Sequence, residues 1–171
     1  EGVMKATLEN AYKLRQNPGD YDARAEIMLA GTIAHNGILG VGRHEDWASH
    51  RIGHEIAALY GTTHGVTLAV IFPAWMKYVS GERPDKFVQF ATRVFDVSEE
   101  DFETDKEIAK EGIRRFEAFL TDMGLPKSFK EADLPTDQID LMTEKASIFG
   151  ALGGYRKLEP SDIKAIYELA L

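Results

Sequence analysis

The sequence predicts an all-α domain, a bundle of about eight helices. Three observations carry this: apolar residues recur at spacings of three and four along nearly the whole chain, no segment alternates with the period of two that a strand needs, and Gly and Pro punctuate the pattern. A length of 171 residues matches the common size of one domain, so a single domain with a real core is expected. With 44% hydrophobic and 28% charged residues the chain is too apolar to stay disordered.

Residues 1 to 16 place Val3, Ala6, Leu8, Ala11, Tyr12 and Leu14 near helical spacing, and Asn17-Pro-Gly-Asp20 breaks the pattern. A second helix is expected from Tyr21 to Leu39, with small residues on one face and the glycine-rich Gly40-Val-Gly42 as its stop. Trp47 to Tyr60 carries Ile52, Ile56 and Leu59 on one stripe, and Gly61 is a natural terminator. Val66 to Val79 is rich in β-branched residues, but its length and the lack of neighbouring strands favour a buried helix bent at Pro73. Pro84 can open a helix that runs to Phe95, followed by the capping-type Ser98-Glu-Glu-Asp101. Glu103 to Met123 is amphipathic through Ile108, Ile113, Phe116, Phe119 and Leu120, and is stopped by Gly124 with Pro126 beyond. Pro135-Thr-Asp137 should open a helix through Met142, Ala146 and Phe149, closed by Gly150 to Gly154, and Pro160-Ser-Asp162 opens the last.

Composition narrows the function classes. The 28 acidic against 20 basic residues give a formal net charge of −8 and no dense cationic cluster, which opposes binding to nucleic acid or anionic lipid. No cysteine is present, so disulfides, thiolate metal sites and a cysteine nucleophile are excluded, and a reducing cytoplasm is expected. The apolar run Val66 to Met76 is about half of a bilayer span and contains Pro73, so no membrane helix is expected. Gly37-Ile-Leu-Gly40-Val-Gly42 follows a helix and has the wrong spacing for a dinucleotide loop. The opening EGVMKATLENAYKLRQ has neither an initiator methionine nor a signal pattern and reads as the interior of a longer chain.

The chemistry concentrates in HRIGHEIAALYGTTH, His50 to His64, which holds three of the five histidines. His50 and His54 share one helix face, with Asp46 a turn upstream. On a continuous helix His64 would lie about 21 Å beyond His50, so all three meet only if the helix breaks. Gly61-Thr-Thr63 supplies that break, and four extended residues can retrace about 14 Å, enough to bring His64 back to the level of His54 or His50. A solvated or hydrogen-bonded pair would explain His50 and His54 alone, but three converging imidazoles point to a divalent transition metal. HEIAALYGTTH also mimics the zinc-peptidase pattern His-Glu-x-x-His-x-x-Gly-x-x-His, except that Ala58 stands where the second ligand belongs. Glu55 would then have no complete site to work against.

Trp47-Ala-Ser-His50-x-x-x-His54, His64-Gly65 and Leu68-Ala-Val-x-x-Pro73-Ala-Trp75 together resemble the signature of the iron-containing (group III) alcohol dehydrogenases, particularly the butanol dehydrogenase-like branch. Ala30-Gly-Thr-x-Ala-His-Asn36-Gly and Leu158-Glu-Pro-x-Asp-Ile-x-x-Ile-Tyr extend the resemblance over nearly the whole chain. It implies the C-terminal, helical, metal-binding half of a dehydroquinate synthase-like two-domain enzyme, whose N-terminal nucleotide-binding domain carries NAD or NADP and is absent from this chain. Matched motif by motif, His50 and His64 correspond to metal ligands, and His54 to the unliganded histidine facing substrate and nicotinamide. The metal would be Fe2+, with Zn2+ as the other candidate, acting as a Lewis acid on an alcohol or aldehyde oxygen. The family's other two ligands, an Asp-x-x-x-His pair roughly sixty residues before the first signature histidine, would precede Glu1. Asp46 is in the wrong register for that pair and is read as capping or orienting its helix. His35 and Phe72 are candidates for the substrate cleft, Phe72 and Trp75 suit a modest apolar alcohol, and His44 reads as a solvated loop residue. The intact enzyme is expected to be a homodimer and this piece inactive alone. The alternatives are a stand-alone helical metal-binding or interaction module and, behind it, a metal-dependent hydrolase using Glu55.

Overall fold

The computed structural model describes residues 1–171 and contains eight α-helices and no strand. In order these are α1 (Gly2–Gln16), α2 (Tyr21–His35), α3 (Ala48–Tyr60), α4 (His64–Ser80), α5 (Asp85–Val94), α6 (Asp105–Asp122), α7 (Ile139–Ala146) and α8 (Pro160–Leu169), with short 3-10 turns at Ile38–Gly40 and Glu99–Asp101. No helix is long and apolar enough to cross a membrane.

Several boundaries differ from the periodicity. α2 ends at His35 rather than Leu39, because Gly37 takes a left-handed φ of 82° and the chain re-enters as a 3-10 turn, tied by Asn36 Oδ1 accepting from the Ile38 N–H. His35 is therefore the last residue of α2 and not a mid-helix residue. α7 covers only Ile139–Ala146 instead of 135–149, leaving Ile148 and Phe149 exposed in the following turn. The helix expected from Val66 begins two residues earlier, so His64 is the first residue of α4 rather than part of the connector. Capping boxes sit at Thr104 and Glu107 and at Glu159 and Asp162, not at Ser98, where the chain makes only a single 3-10 turn.

One core of 21 buried residues organises the fold, drawing Ile52 and Ile56 from α3, Val70 and Ile71 from α4, Met142 from α7, and Ile163, Ile166 and Tyr167 from α8. Full burial of each such side chain is worth about 1.5–3 kcal/mol. The apolar stripe of α4 is buried through most of its length, which is why Pro73 is tolerated inside it: neighbours hold the helix in place where the proline removes a hydrogen bond. Tyr167 is fully buried, and its hydroxyl donates to the Ile52 carbonyl at 2.7 Å, fastening α8 to the helix that carries His50 and His54. α5 and α6 cross at Gly112, where a Cβ would lie 2.5 Å from the Ala91 Cβ. The α1–α2 hairpin stands to one side, and between it and α4 to α6 lies a cavity of about 520 Å³ lined by Phe72, Phe90, Phe95, Phe116, Phe119 and Leu39 among other apolar groups.

Candidate metal centre

α3 and α4 form the elbow that positions the histidines. Gly61, at φ 65°, ends α3 in the left-handed conformation that a glycine adopts without Cβ strain, and its N–H caps the Ala57 carbonyl. Two residues later α4 starts, with Val66 and Thr67 donating to the Thr63 carbonyl. Gly53 lets the two helices approach: a Cβ there would lie 3.2 Å from Thr67 Oγ1, which itself donates to the His64 carbonyl at 2.9 Å. The turn of α3 holding His50 and His54 is thereby laid against the first turn of α4.

The three imidazoles converge. Ring centroids are 5.6 Å apart for His50 and His64, 5.4 Å for His54 and His64, and 6.4 Å for His50 and His54. His64 is nearly equidistant from the other two. His50 is partly buried and its Nδ1 is a buried ring nitrogen without a hydrogen-bond partner, whereas His54 and His64 are exposed. Burial first, and then the neighbouring rings of His64, His54 and His35, pull the His50 pKa below that of a free imidazole, so the neutral, lone-pair-bearing form is favoured. No set of three or more His, Asp or Glu side chains is arranged to hold an ion by itself.

The other sequence candidates lie further out. His35, exposed at the end of α2, hydrogen-bonds through Nδ1 to the Gly31 carbonyl at 2.8 Å. Phe72, eight residues along α4 from His64 and so about 12 Å up the axis, stacks on Trp75 at 5.5 Å and faces the apolar cavity beside α2. His44 is exposed in the connector before α3. Ala58 is exposed and offers no donor where a peptidase would place its ligand. Sequence analysis puts Trp47 in the histidine motif but gives it no role; its indole meets the His50 ring at 4.8 Å in an edge arrangement. Its position three residues before His50 on a helical pattern was the available signal.

The sequence model described as "Fe-containing alcohol dehydrogenase family, C-terminal" matches residues 1–171. The chain belongs to the iron-containing alcohol dehydrogenase family. "Probable NADH-dependent butanol dehydrogenase 1" of Bacillus subtilis (strain 168) is 39% identical over 171 residues, covering 100% of this chain and 44% of that protein. The fold superposes on the crystal structure of NADH-dependent butanol dehydrogenase A from Thermotoga maritima with a TM-score of 0.91 at 36% identity, over 99% of this chain and 44% of that one. It superposes on the aldehyde reductase YqhD of Escherichia coli with a TM-score of 0.92 at 31% identity, again over 99% and 44%. The chain thus spans less than half the length of the relatives it matches. For an iron-containing alcohol dehydrogenase the donor set fits in part: His50 and His64 bring imidazole nitrogens to one place, one of them desolvated and unpartnered, but two imidazoles do not complete a shell.

Proposed function

We propose that this chain forms the metal-binding half of an NAD(P)-dependent alcohol dehydrogenase that interconverts alcohols and aldehydes. The observation that carries the reading is the convergence of His50, His54 and His64 at the α3–α4 elbow, with centroid separations of 5.4 to 6.4 Å. His50 and His64 would hold a divalent ion, Fe2+ first and Zn2+ second, together with donors from a preceding segment. When bound, such an ion supplies Lewis acidity toward the substrate oxygen, and a nicotinamide dinucleotide supplies the hydride donor or acceptor. His54, exposed beside His50 and His64, would take the proton from the alcohol or return it to the aldehyde oxygen, a role its closeness to both supports. Phe72, further along α4, lines an apolar cavity beside α2, which suits a modest alcohol or aldehyde. An N-terminal nucleotide-binding domain and a second copy of the enzyme are its proposed partners, and the isolated chain is expected to be inactive.

The test separates ligand from proton carrier. In the intact enzyme His64→Ala abolishes bound metal and activity together, while His54→Ala keeps the metal and loses turnover. Elemental analysis alongside initial rates reads both. Equal metal loss in the two variants would overturn the assignment of roles, and metal identity follows from the same analysis.

A further inference from the structure

Asp46 lies just outside the histidine elbow and does something its helix alone does not require. Its Oδ1 accepts from the Ala48 N–H at 2.8 Å and caps the start of α3. Its Oδ2 accepts from two further backbone groups, Gly154 N–H at 2.8 Å and Tyr155 N–H at 2.7 Å, in a loop more than a hundred residues away. A capping carboxylate needs only the first contact.

The loop is built to meet it. Leu152 and Leu158 close its base through a pair of backbone hydrogen bonds at 3.1 and 2.8 Å. Gly153 has φ 96° and a Cβ there would collide with the loop's own Arg156 carbonyl, while a Cβ on Gly154 would lie 2.7 Å from the Glu45 carbonyl oxygen, so the loop keeps this turn and rests on Glu45 only without side chains at both positions. The Tyr155 ring packs edge-on to Phe87 at 5.6 Å and against Trp75 at 6.4 Å, which seats the loop in the main core. Rigidity therefore runs from the core through Tyr155 and the loop backbone to Asp46, and from Asp46 into the first turn of α3. That turn carries Trp47, steadied by its Nε1 donating to Glu45 Oε2 at 3.2 Å, and the Trp47 indole bears on the His50 ring at 4.8 Å.

We infer that Asp46 is a positioning residue: its carboxylate latches the Gly153–Tyr155 loop to the start of α3 and so sets the Trp47–His50 contact and the orientation of the His50 ring. Its consequence for metal binding rests on the reading of His50 as a ligand; the latch itself does not.

Two variants break it from opposite sides. Asp46→Asn has one acceptor oxygen for N–H groups that lie on two sides of the carboxylate, so either the cap or the loop contact is lost. Gly154→Ala forces the loop off Glu45. In the full chain, NMR should show the Trp47-to-His50 ring NOEs lost in both variants, with those between Tyr155 and Phe87 retained in Asp46→Asn. Combining the variants should add little further change, because both remove one coupling. Zn2+ titration of the same proteins should show affinity weakened about tenfold or more, the range for outer-shell partners of a metal ligand. Retention of the Trp47–His50 NOEs in both variants would overturn the latch, as would Zn2+ binding equal to the parent's in a parent that binds it. NOE loss in variants of a parent that takes up no Zn2+ supports the latch and counts against the metal reading instead.

Discussion

Replacing Tyr167 with Phe removes one oxygen from the centre of the molecule, and the structure dictates how the effect changes with pH. The hydroxyl is fully buried and donates to the Ile52 carbonyl at 2.7 Å. Losing such a bond costs about 0.5–1.5 kcal/mol, so near pH 8 the variant should be about 1 kcal/mol less stable. Burial, reinforced by the charge of Glu55, holds the phenol well above its ordinary value of 10.0 in the folded state. In the unfolded chain it ionises near 10. The stabilisation is therefore complete below about pH 10 and eroded above it, because only the unfolded state can release the proton. At pH 11 the linkage amounts to about 1.4 kcal/mol against the parent, enough to cancel or reverse the neutral-pH difference. Urea unfolding of parent and variant at pH 8 and pH 11 reads this directly, and the other tyrosines cancel in the comparison. A difference that stays the same at both pH values would refute the claim that the Tyr167 phenol is held neutral in the folded protein.

Two further outcomes follow from the packing and charge of α6. Gly112→Ala should cost about 1 kcal/mol, because overpacking against the Ala91 Cβ and Cα, at 2.5 and 2.8 Å, outweighs the helix propensity gained; thermal melts should show this, and adding Ala91→Gly should recover more than independent effects allow. The Glu111 carboxyl is held down to about 2 by hydrogen bonds from Arg114 and then Arg115, at 2.6 to 2.8 Å, so its stabilisation is present above about pH 4.5 and lost as the pH falls toward 2. Since Arg114 is largely exposed and screened, Glu111→Gln should lose only about 1 kcal/mol at pH 7 and converge on the parent as the pH falls through about 2; a difference that does not shrink with acid contradicts this.

Much of this protein was legible as sequence because its determinants are local. Helical periodicity and the stops at Asn17-Pro18-Gly19, Gly61 and Gly124 mark all eight helices, since spacing and backbone freedom act within a turn or two. The break at Gly61 was enough to bring three histidines to one level by arithmetic on helix rise. The boundary errors lie where a local pattern continues but the chain turns: α2 stops at His35 because Gly37 turns left-handed, and α7 stops at Ala146 although Phe149 continues its apolar spacing.

What the tertiary structure decided depends on groups distant in sequence. That His50 is the desolvated imidazole, with the edge of Trp47 beside it, while His54 and His64 stay exposed, is a property no spacing rule contains. Asp46 reads from sequence as a cap, and is one; that the same carboxylate also holds Gly154 and Tyr155 is visible only once the last loop folds back onto α3. Helix periodicity and caps are short-range physics written along the chain, whereas burial and long-range hydrogen bonds exist only after the chain has closed on itself.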